Sequence, residues 1–367
     1  MTDVAHRLFV EVVDRLEDVR PAWDDLVDRC VSPSPFLRSW WVDGIGAGPG
    51  GVLRIPLVFD GDELIGGIPL VHERWRRALP WLHTMDVSDY SAVASLPGRE
   101  PEVLQALGQW LGRERSVVDL WCAVSGLSAI DLVPFPRWVL AETVAPYEEL
   151  SESFEDYMAS RSHNWRSTIR KSQHAAERRG WSVRCVGPGD IDAAIERLMR
   201  LHTLQWGTSE FTDLRTRFAR AARAGAARGE LIVFELVDGD STLASQVWLE
   251  VAGCSYCYQG GRRSGVQSAG TLLMAAAIER ACETGQRRID LLRGDESYKA
   301  HWARQANTVL QVRGATGHLP PRFVRANAVR RGLACWREGD PIAPARWPPD
   351  RARQASTSPM GVGPQGM

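Results

Sequence analysis

Apolar and polar positions change period repeatedly along the chain, and those changes predict its elements. Residues 8–13 (LFVEVV) read as a strand, and helical patterns follow over 16–29 and 36–45, the second opened by Ser34-Pro35. Leu53 to Phe59 and Glu63 to Val71 alternate around Asp60-Gly61-Asp62, a hairpin signal. His83 to Tyr90 is a polar, aromatic loop. A helix near 101–113 leads to a strand at Val117 to Trp121, and short pieces continue to Glu142.

The pattern then starts again. Pro146 to Ser151 reads as a join, and a basic helix is expected over 153–180, with Gly180 as its C-terminal cap. A strand at Trp181 to Val186 is followed by a helix from Asp190 to Trp206 and another over 214–228. Leu231 to Val237 and Leu243 to Val251 form a second hairpin around Asp238-Gly239-Asp240. Ser255 to Gln259 is a strand, and Ser268 caps an apolar helix over 269–284. Strands at 288–292 and 308–313 close the pattern. Both halves share the order strand, two helices, hairpin, which points to a duplicated unit. The fold class is α/β, with a mixed sheet of the α+β kind, in two units: 1–145, and 146–315 including the helix 153–180. In the tail, 316–367, Pro321 to Arg337 has the spacing of an amphipathic helix. From Asp340 onward Pro, Gly, Ser and Arg predict disorder.

Composition excludes more than it selects. The formal net charge is -1, so no global field draws the chain to nucleic acid or membrane. Seven scattered cysteines, an odd number, fit reduced thiols and a cytoplasmic protein. Cys254 and Cys257 have metal-motif spacing but fall in a strand, where they point to opposite faces, and no second ligand pair follows, so no metal is expected. The N-terminus, with Asp3, Glu11, Asp14 and Glu17 in an amphipathic pattern, does not read as a signal peptide, and no run reaches membrane-spanning length. Of 44 basic residues only Lys171 and Lys299 are lysine. An amine can exchange a proton where a guanidinium cannot, so both are candidates for chemistry.

Two stretches carry the candidate chemistry. Arg288-Ile289-Asp290-Leu291-Leu292 reads as a buried parallel strand, and Arg293-Gly294-Asp295 as the turn after it. Tyr298, Lys299 and Trp302 follow directly. An acid, a phenol and an amine at the end of a buried strand are where an α/β sheet places a site. The plain alternative is a structural carboxylate beside a solvated helix start. The other stretch, Gly260 to Thr271, joins a strand to a helix N-terminus through small residues, with Arg262 and Arg263 beside it. Bare amides and the helix dipole there favour an anion. Its spacing is neither a Walker loop nor a dinucleotide fingerprint.

At these residues the second unit resembles the GNAT acyltransferases. The order β-α-α-β-β-β-α-β-α-β, with a helix N-terminus facing a pyrophosphate, is similar to that fold. Three stretches resemble its CelD/BcsL type: the basic helix around Arg166 to Lys171, Leu201-His202 to Trp206, and Ile289-Asp290 to Trp302. Those proteins resemble in turn the FemABX aminoacyl transferases, which carry two GNAT-like domains in tandem. The hairpin with Gly66-Gly67-Ile68-Pro69-Leu70 and the loop Val87-Ser88-Asp89-Tyr90 fit a partner domain. The resemblance covers about residues 8–315.

It implies transfer of an acyl group, usually acetyl, from acyl-CoA to an amine of a small molecule or a saccharide or peptide precursor, without a metal. The donor would lie between splayed strands, its pyrophosphate on Gln267, Ser268, Ala269, Gly270 and Thr271, with Arg262 and Arg263 beside it. The family's loop appears here in a degenerate form. Asp290 is the candidate base, with His202 as the alternative; Tyr298 is the candidate acid; Lys299 would stabilise negative charge. Trp206, Tyr258, Asp89, Tyr90 and Lys171 are candidates for the acceptor side. Two other readings stand beside this one. One is aminoacyl transfer from a charged tRNA, with the basic helix facing RNA. The other is a non-catalytic binding protein of a biosynthetic pathway.

Overall fold

The computed structural model describes residues 8–75, 79–124, 128–134, 137–316 and 335–336. The first half contains strand β1 (Leu8–Val13), helices α1 (Arg20–Arg29) and α2 (Ser39–Ile45), and strands β2 (Val52–Asp60), β3 (Glu63–Gly67), β4 (Leu70–Trp75), β5 (Leu79–His83) and β6 (Ala94–Ser95). Helix α3 (Glu100–Arg113) then crosses to β7 (Val117–Ala123), and β8 (Arg137–Glu149) follows.

The second half repeats the order. Helices α4 (Phe154–Ala159) and α5 (His163–Arg178) lead to β9 (Trp181–Cys185), α6 (Ile191–Trp206), α7 (Glu210–Asp213) and α8 (Arg215–Ala227). Strands β10 (Leu231–Asp238), β11 (Ser241–Val251) and β12 (Cys254–Arg262) come next. Then α9 (Ala269–Glu283) crosses to β13 (Arg288–Asp290), and β14 (Gln305–Ala315) and β15 (Cys335–Trp336) complete the described chain.

All the strands join one mixed sheet in the order β6-β3-β2-β4-β5-β7-β14-β8-β13-β12-β11-β10-β9, with β1 on β2 and β15 on β8. Its middle departs from the sequence reading. Each half contains one parallel pair bridged by a crossover helix, β5 with β7 and β12 with β13. The strand that closes each half then pairs with the other half: β8 lies against β13, and β14 lies against β7. The two exchanged strands are themselves antiparallel neighbours. The expected join at 145/146 falls inside β8, as does the last of the short pieces expected up to Glu142. Pro146 is tolerated mid-strand, although it gives the ladder no amide.

The halves also share a core. Phe36 and Trp41 of the first meet Tyr258 of the second edge-on, Trp41 also meets Phe218 edge-on, and Phe211, Phe218 and Tyr258 pack on one another behind them. Helix α2 crosses α8 closely at Gly44, where a Cβ would stand 2.6 Å from Ala221 Cα. Arg217 and Arg220 of α8 donate to the last carbonyls of α2, Gly46 O and Gly44 O, each at 2.7 Å. A second cluster packs α9 and α5 on the opposite face of the second half.

Three further expectations change. The basic helix over 153–180 is two helices, each capped by a serine, Ser153 and Ser162. The break has a cause: Arg161 is buried there, donating to Glu148 Oε1 at 2.5 Å and Trp302 O at 3.1 Å. Burial alone would raise the Glu148 carboxyl, but bonds from Arg304 and Arg161 outweigh it and hold it below its usual range. The strand expected over 288–292 stops at Asp290, because Leu292 takes a positive φ of 55°. Most of the helix expected over 321–337, and the tail from Asp340, lie outside the described residues; Cys335 and Trp336 pair with β8 as strand.

Candidate active site

The site begins where two strands stop pairing. β12 and β13 run parallel for three residue pairs, Cys254 with Arg288 to Tyr256 with Asp290. β13 then turns away through Leu292 and Gly294, while β12 continues to Arg262 against β11. A bulge lies in β12 between Cys257 and Gln259. It turns Tyr258 into the aromatic core, where its hydroxyl donates to Val87 O at 2.9 Å. Between the parted strands lies a cleft of about 650 Å³. β12 lines it from Cys257 to Arg262, so that strand edge faces the cleft instead of a neighbouring strand.

One end of the cleft is the N-terminus of α9. Ser268, Ala269, Gly270 and Thr271 line it. Ser268 occupies the cap position but does not cap: it sits at φ 59° and its side chain makes no cap bond. The first intrahelical bond comes from Leu272 to Ser268 O. The amides of Ala269, Gly270 and Thr271 therefore precede the ladder, and among the described residues no side chain takes them. Gly270 has open space where a Cβ would go. Arg262 lines the same end and braces the turn by donating to Val266 O at 3.0 Å. An anion meets free amides, a helix dipole and a guanidinium here.

The wall beyond β13 carries Tyr298, Lys299 and Trp302. Tyr298 is half-exposed, and burial pushes its phenol above its ordinary range, which keeps it protonated. Lys299 is buried, and its three donors are matched: Leu292 O at 3.2 Å, Arg293 O at 3.0 Å and Glu296 Oε2 at 2.9 Å. This corrects the expectation of a charge stabiliser. The amine holds the turn that ends β13 and has no proton left to offer a ligand.

The α6 face of the cleft carries His202, Trp206 and Gln259. Gly261 lies directly beneath α6: a Cβ there would be 2.4 Å from His202 N. Burial lowers the His202 pKa, with a bond to Gln259 partly opposing it, so the ring is neutral at pH 7. Trp206 is exposed at the rim. Asp89 arrives from the first half and lines the cleft beside Arg293. It accepts the Arg293 amide at 3.2 Å, and Arg293 Nε stands 3.8 Å from its other oxygen. Burial raises the Asp89 carboxyl, and Arg293 partly offsets this.

The cleft thus unites Asp89, His202, Trp206, Tyr258, Arg262, residues 268–271, Tyr298 and Lys299. It does not unite the rest. Asp290 is not a lining residue: its carboxylate is buried under the strand end, accepting Leu292 N at 2.8 Å, with Arg288 at 3.6 Å. Burial pushes it up to about 6. The carboxylate expected to act as base instead ties the turn. Tyr90 is not among the lining residues and packs edge-on against Phe36. Lys171 is exposed on α5, away from the cleft. Gln267 is exposed outside it, and Arg263 lines a separate groove with Arg200 and Asp240. The sequence reading passed over Arg293 and Gln259, which nothing in their local pattern marks. Among the described residues, no group of three His, Cys, Asp or Glu side chains could hold a metal ion, and no helix is long and apolar enough to cross a membrane.

Comparison with known proteins meets this geometry at the same residues. Residues 163–300, from α5 to Tyr298 and Lys299, match the family model described as an acetyltransferase (GNAT) domain. Residues 163–300 are thus similar to a GNAT-type domain. Among curated proteins, none is a significant match in sequence. Solved structures share the fold of this domain and of the half before it. FemX is 11% identical with a TM-score of 0.60, over 86% of this chain and 99% of its own. A conserved protein of unknown function from Bacteroides thetaiotaomicron is 10% identical with a TM-score of 0.56, over 83% and 99%. The C-terminal domain of a lysylphosphatidylglycerol synthetase from Agrobacterium fabrum is 10% identical with a TM-score of 0.53, over 86% and 96%. At these identities the likeness is one of fold.

Proposed function

We propose that the protein is an acyl-CoA-dependent N-acyltransferase of the CelD/BcsL type, built from two GNAT-like units of which only the second binds a donor. One observation carries this reading: a single cleft joins an uncapped helix N-terminus, an unpaired strand edge and a protonated phenol. The amides of residues 269–271, with Arg262, suit the donor's pyrophosphate. The exposed edge of β12 suits an amide-bearing pantetheine arm, which can take the place of a neighbouring strand. Such an arm brings its thioester toward Tyr298.

The acceptor enters beside Asp89, which anchors its ammonium; one proton leaves to water, and the resulting amine gives a second to Asp89 as it attacks. The amine nitrogen bonds to the thioester carbonyl carbon as the carbon–sulfur bond breaks, and Tyr298 gives its proton to the departing sulfur. Products are an amide and a free thiol, and both groups exchange protons with water to reset.

Calorimetry with CoA and acetyl-CoA tests the donor assignment. Binding is expected, and its absence together with salt-sensitive binding of aminoacyl-tRNA would select the tRNA-dependent reading. Intact folding with affinity for neither would select the non-catalytic one. Tyr298→Phe is expected to lower kcat about 100-fold while donor Kd stays within about twofold.

A further inference from the structure

Among the residues lining the cleft, one pair of opposite charges comes from different halves, Asp89 and Arg293. Asp89 comes from the loop after β5. Arg293 comes from the turn after β13. Its guanidinium carbon lies over the Trp121 ring of β7, 3.9 Å from the centroid, which holds the group in place. Asp89 and Arg293 both line the cleft, with 20% and 28% of their side chains exposed.

Their contact is loose for a pair so well supported. The 3.8 Å between Arg293 Nε and Asp89 Oδ1 exceeds hydrogen-bond length, and Arg293 Nη1 has no acceptor among the described residues. Asp89 is instead held by the Arg293 amide through its other oxygen. A guanidinium prefers a two-point fork to a carboxylate, and this geometry leaves the fork unused. The pair also cancels in charge, so a ligand with net charge gains little from it. A ligand that carries both signs close together gains twice, an ammonium on Asp89 and a carboxylate on the Arg293 fork.

We infer that the acceptor is an α-amino acid or a molecule ending in one, recognised through its neighbouring ammonium and carboxylate by Asp89 and Arg293. This rests on the N-acyltransferase reading and narrows it. The two protein charges stand within 4 Å of each other, so the two ligand charges must also be neighbours. That favours an α-amino acid over a long ω-amino acid, an amino sugar or an apolar amine. The product keeps its carboxylate and loses its positive charge, so Asp89 no longer holds it and release follows.

The experiment is calorimetry at saturating CoA, titrating the common α-amino acids, their methyl esters, glucosamine and benzylamine, followed by thiol release from acetyl-CoA with whichever binds. At least one amino acid is expected to bind about 100-fold more tightly than its own methyl ester, the loss typical of removing one partner of a partly buried charge pair. In Arg293→Gln that ratio is expected to fall to within about threefold of unity, with donor Kd unchanged. Asp89→Asn is expected to weaken acid and ester alike. The acid-to-ester ratio is read on the wild-type protein, so it stands even where a variant does not fold. Tighter binding of glucosamine or benzylamine, or a ratio unaltered in a folded Arg293→Gln, would overturn the inference. CoA binding without any amino-acid binding would remove this acceptor alone. Failure to bind CoA would remove the acyltransferase reading, and this inference with it.

Discussion

The two crossover helices, α3 and α9, occupy the same place in their halves and do opposite things at their N-termini. α9 opens with Ala269, Gly270 and Thr271, uncapped and facing a cleft. α3 opens with Glu100, Pro101 and Glu102. Its cap residue Arg99 is turned back onto Glu102 at 2.6 Å and Asp60 at 2.7 Å. Acids in the first turn satisfy the helix dipole from within the chain and repel an incoming phosphate.

The strand edges differ in the same way. Beyond Asp290 the edge of β12 is open. In the first half, residues 84–91 fold back into the corresponding gap: Ser91 donates to Trp121 O at 2.7 Å, and Trp121 donates to Thr84 Oγ1 at 2.8 Å. The plug in one half delivers Asp89 to the cleft of the other. On the proposed reading, the half whose own gap is filled supplies part of the acceptor wall.

The comparison extends to one carboxylate in each parallel strand. Asp119 in Val118-Asp119-Leu120 and Asp290 in Ile289-Asp290-Leu291 both stand at the last residue of their parallel pairing. Asp119 is paired with Arg313 from the exchanged strand and with Gln311 at 3.0 Å. Among the described residues, Asp290 has Arg288 at 3.6 Å and a backbone amide. The largest expected effect follows. Asp119→Asn removes the buried carboxylate charge that Arg313 and Gln311 share and should cost about 3 kcal/mol in chemical denaturation.

Asp290→Asn should do the reverse at neutral pH. The folded carboxyl titrates near 6 against an ordinary 3.8. The folded state therefore holds the proton more tightly between those values, and stability is lost as pH rises through 6. Asparagine keeps an oxygen for Leu292 N and has no charge to bury. The variant should be about 2–3 kcal/mol more stable than wild type at pH 7.5, with the difference vanishing below pH 4. Equal pH dependence of melting in the two proteins would show that Asp290 is not the destabilised charge.

Giving α9 the character of α3 should remove the donor. Thr271→Glu puts a carboxylate among the open amides and is expected to weaken CoA binding about 100-fold, equivalent to about 2.7 kcal/mol. The converse change is the smallest: Glu102→Gln should leave the first half without nucleotide affinity and shift stability by less than about 1 kcal/mol, since the plug, not the acid alone, closes that site. Tight binding of a second CoA in Glu102→Gln would break the comparison.

Much of this was legible in the residues. The repeat of strand, two helices and hairpin follows from period changes and from Asp-Gly turns at 60–62 and 238–240. The open turn at 268–271 follows from small residues before an apolar helix. Tyr298 follows from its place after a buried strand. What failed has a common cause. Alternation shows which face of a strand is buried but not which strand lies beside it, so the exchange of β8 and β14 was invisible. Rarity marked both lysines, yet Lys171 is solvated and Lys299 is saturated by carbonyls, and neither state has a local signature. Asp290 looked like a base because it is a lone acid in an apolar run. The turn at Leu292, two residues on, is what its carboxylate serves.

The exchange of β8 and β14 has a consequence for how the gene product can be divided. A cut between Leu150 and Ser153 separates the halves in sequence but leaves each holding the other's closing strand. Two such pieces, made separately, would each expose a raw sheet edge and would fold only by clasping one another, which makes the protein a natural two-part reporter of co-expression.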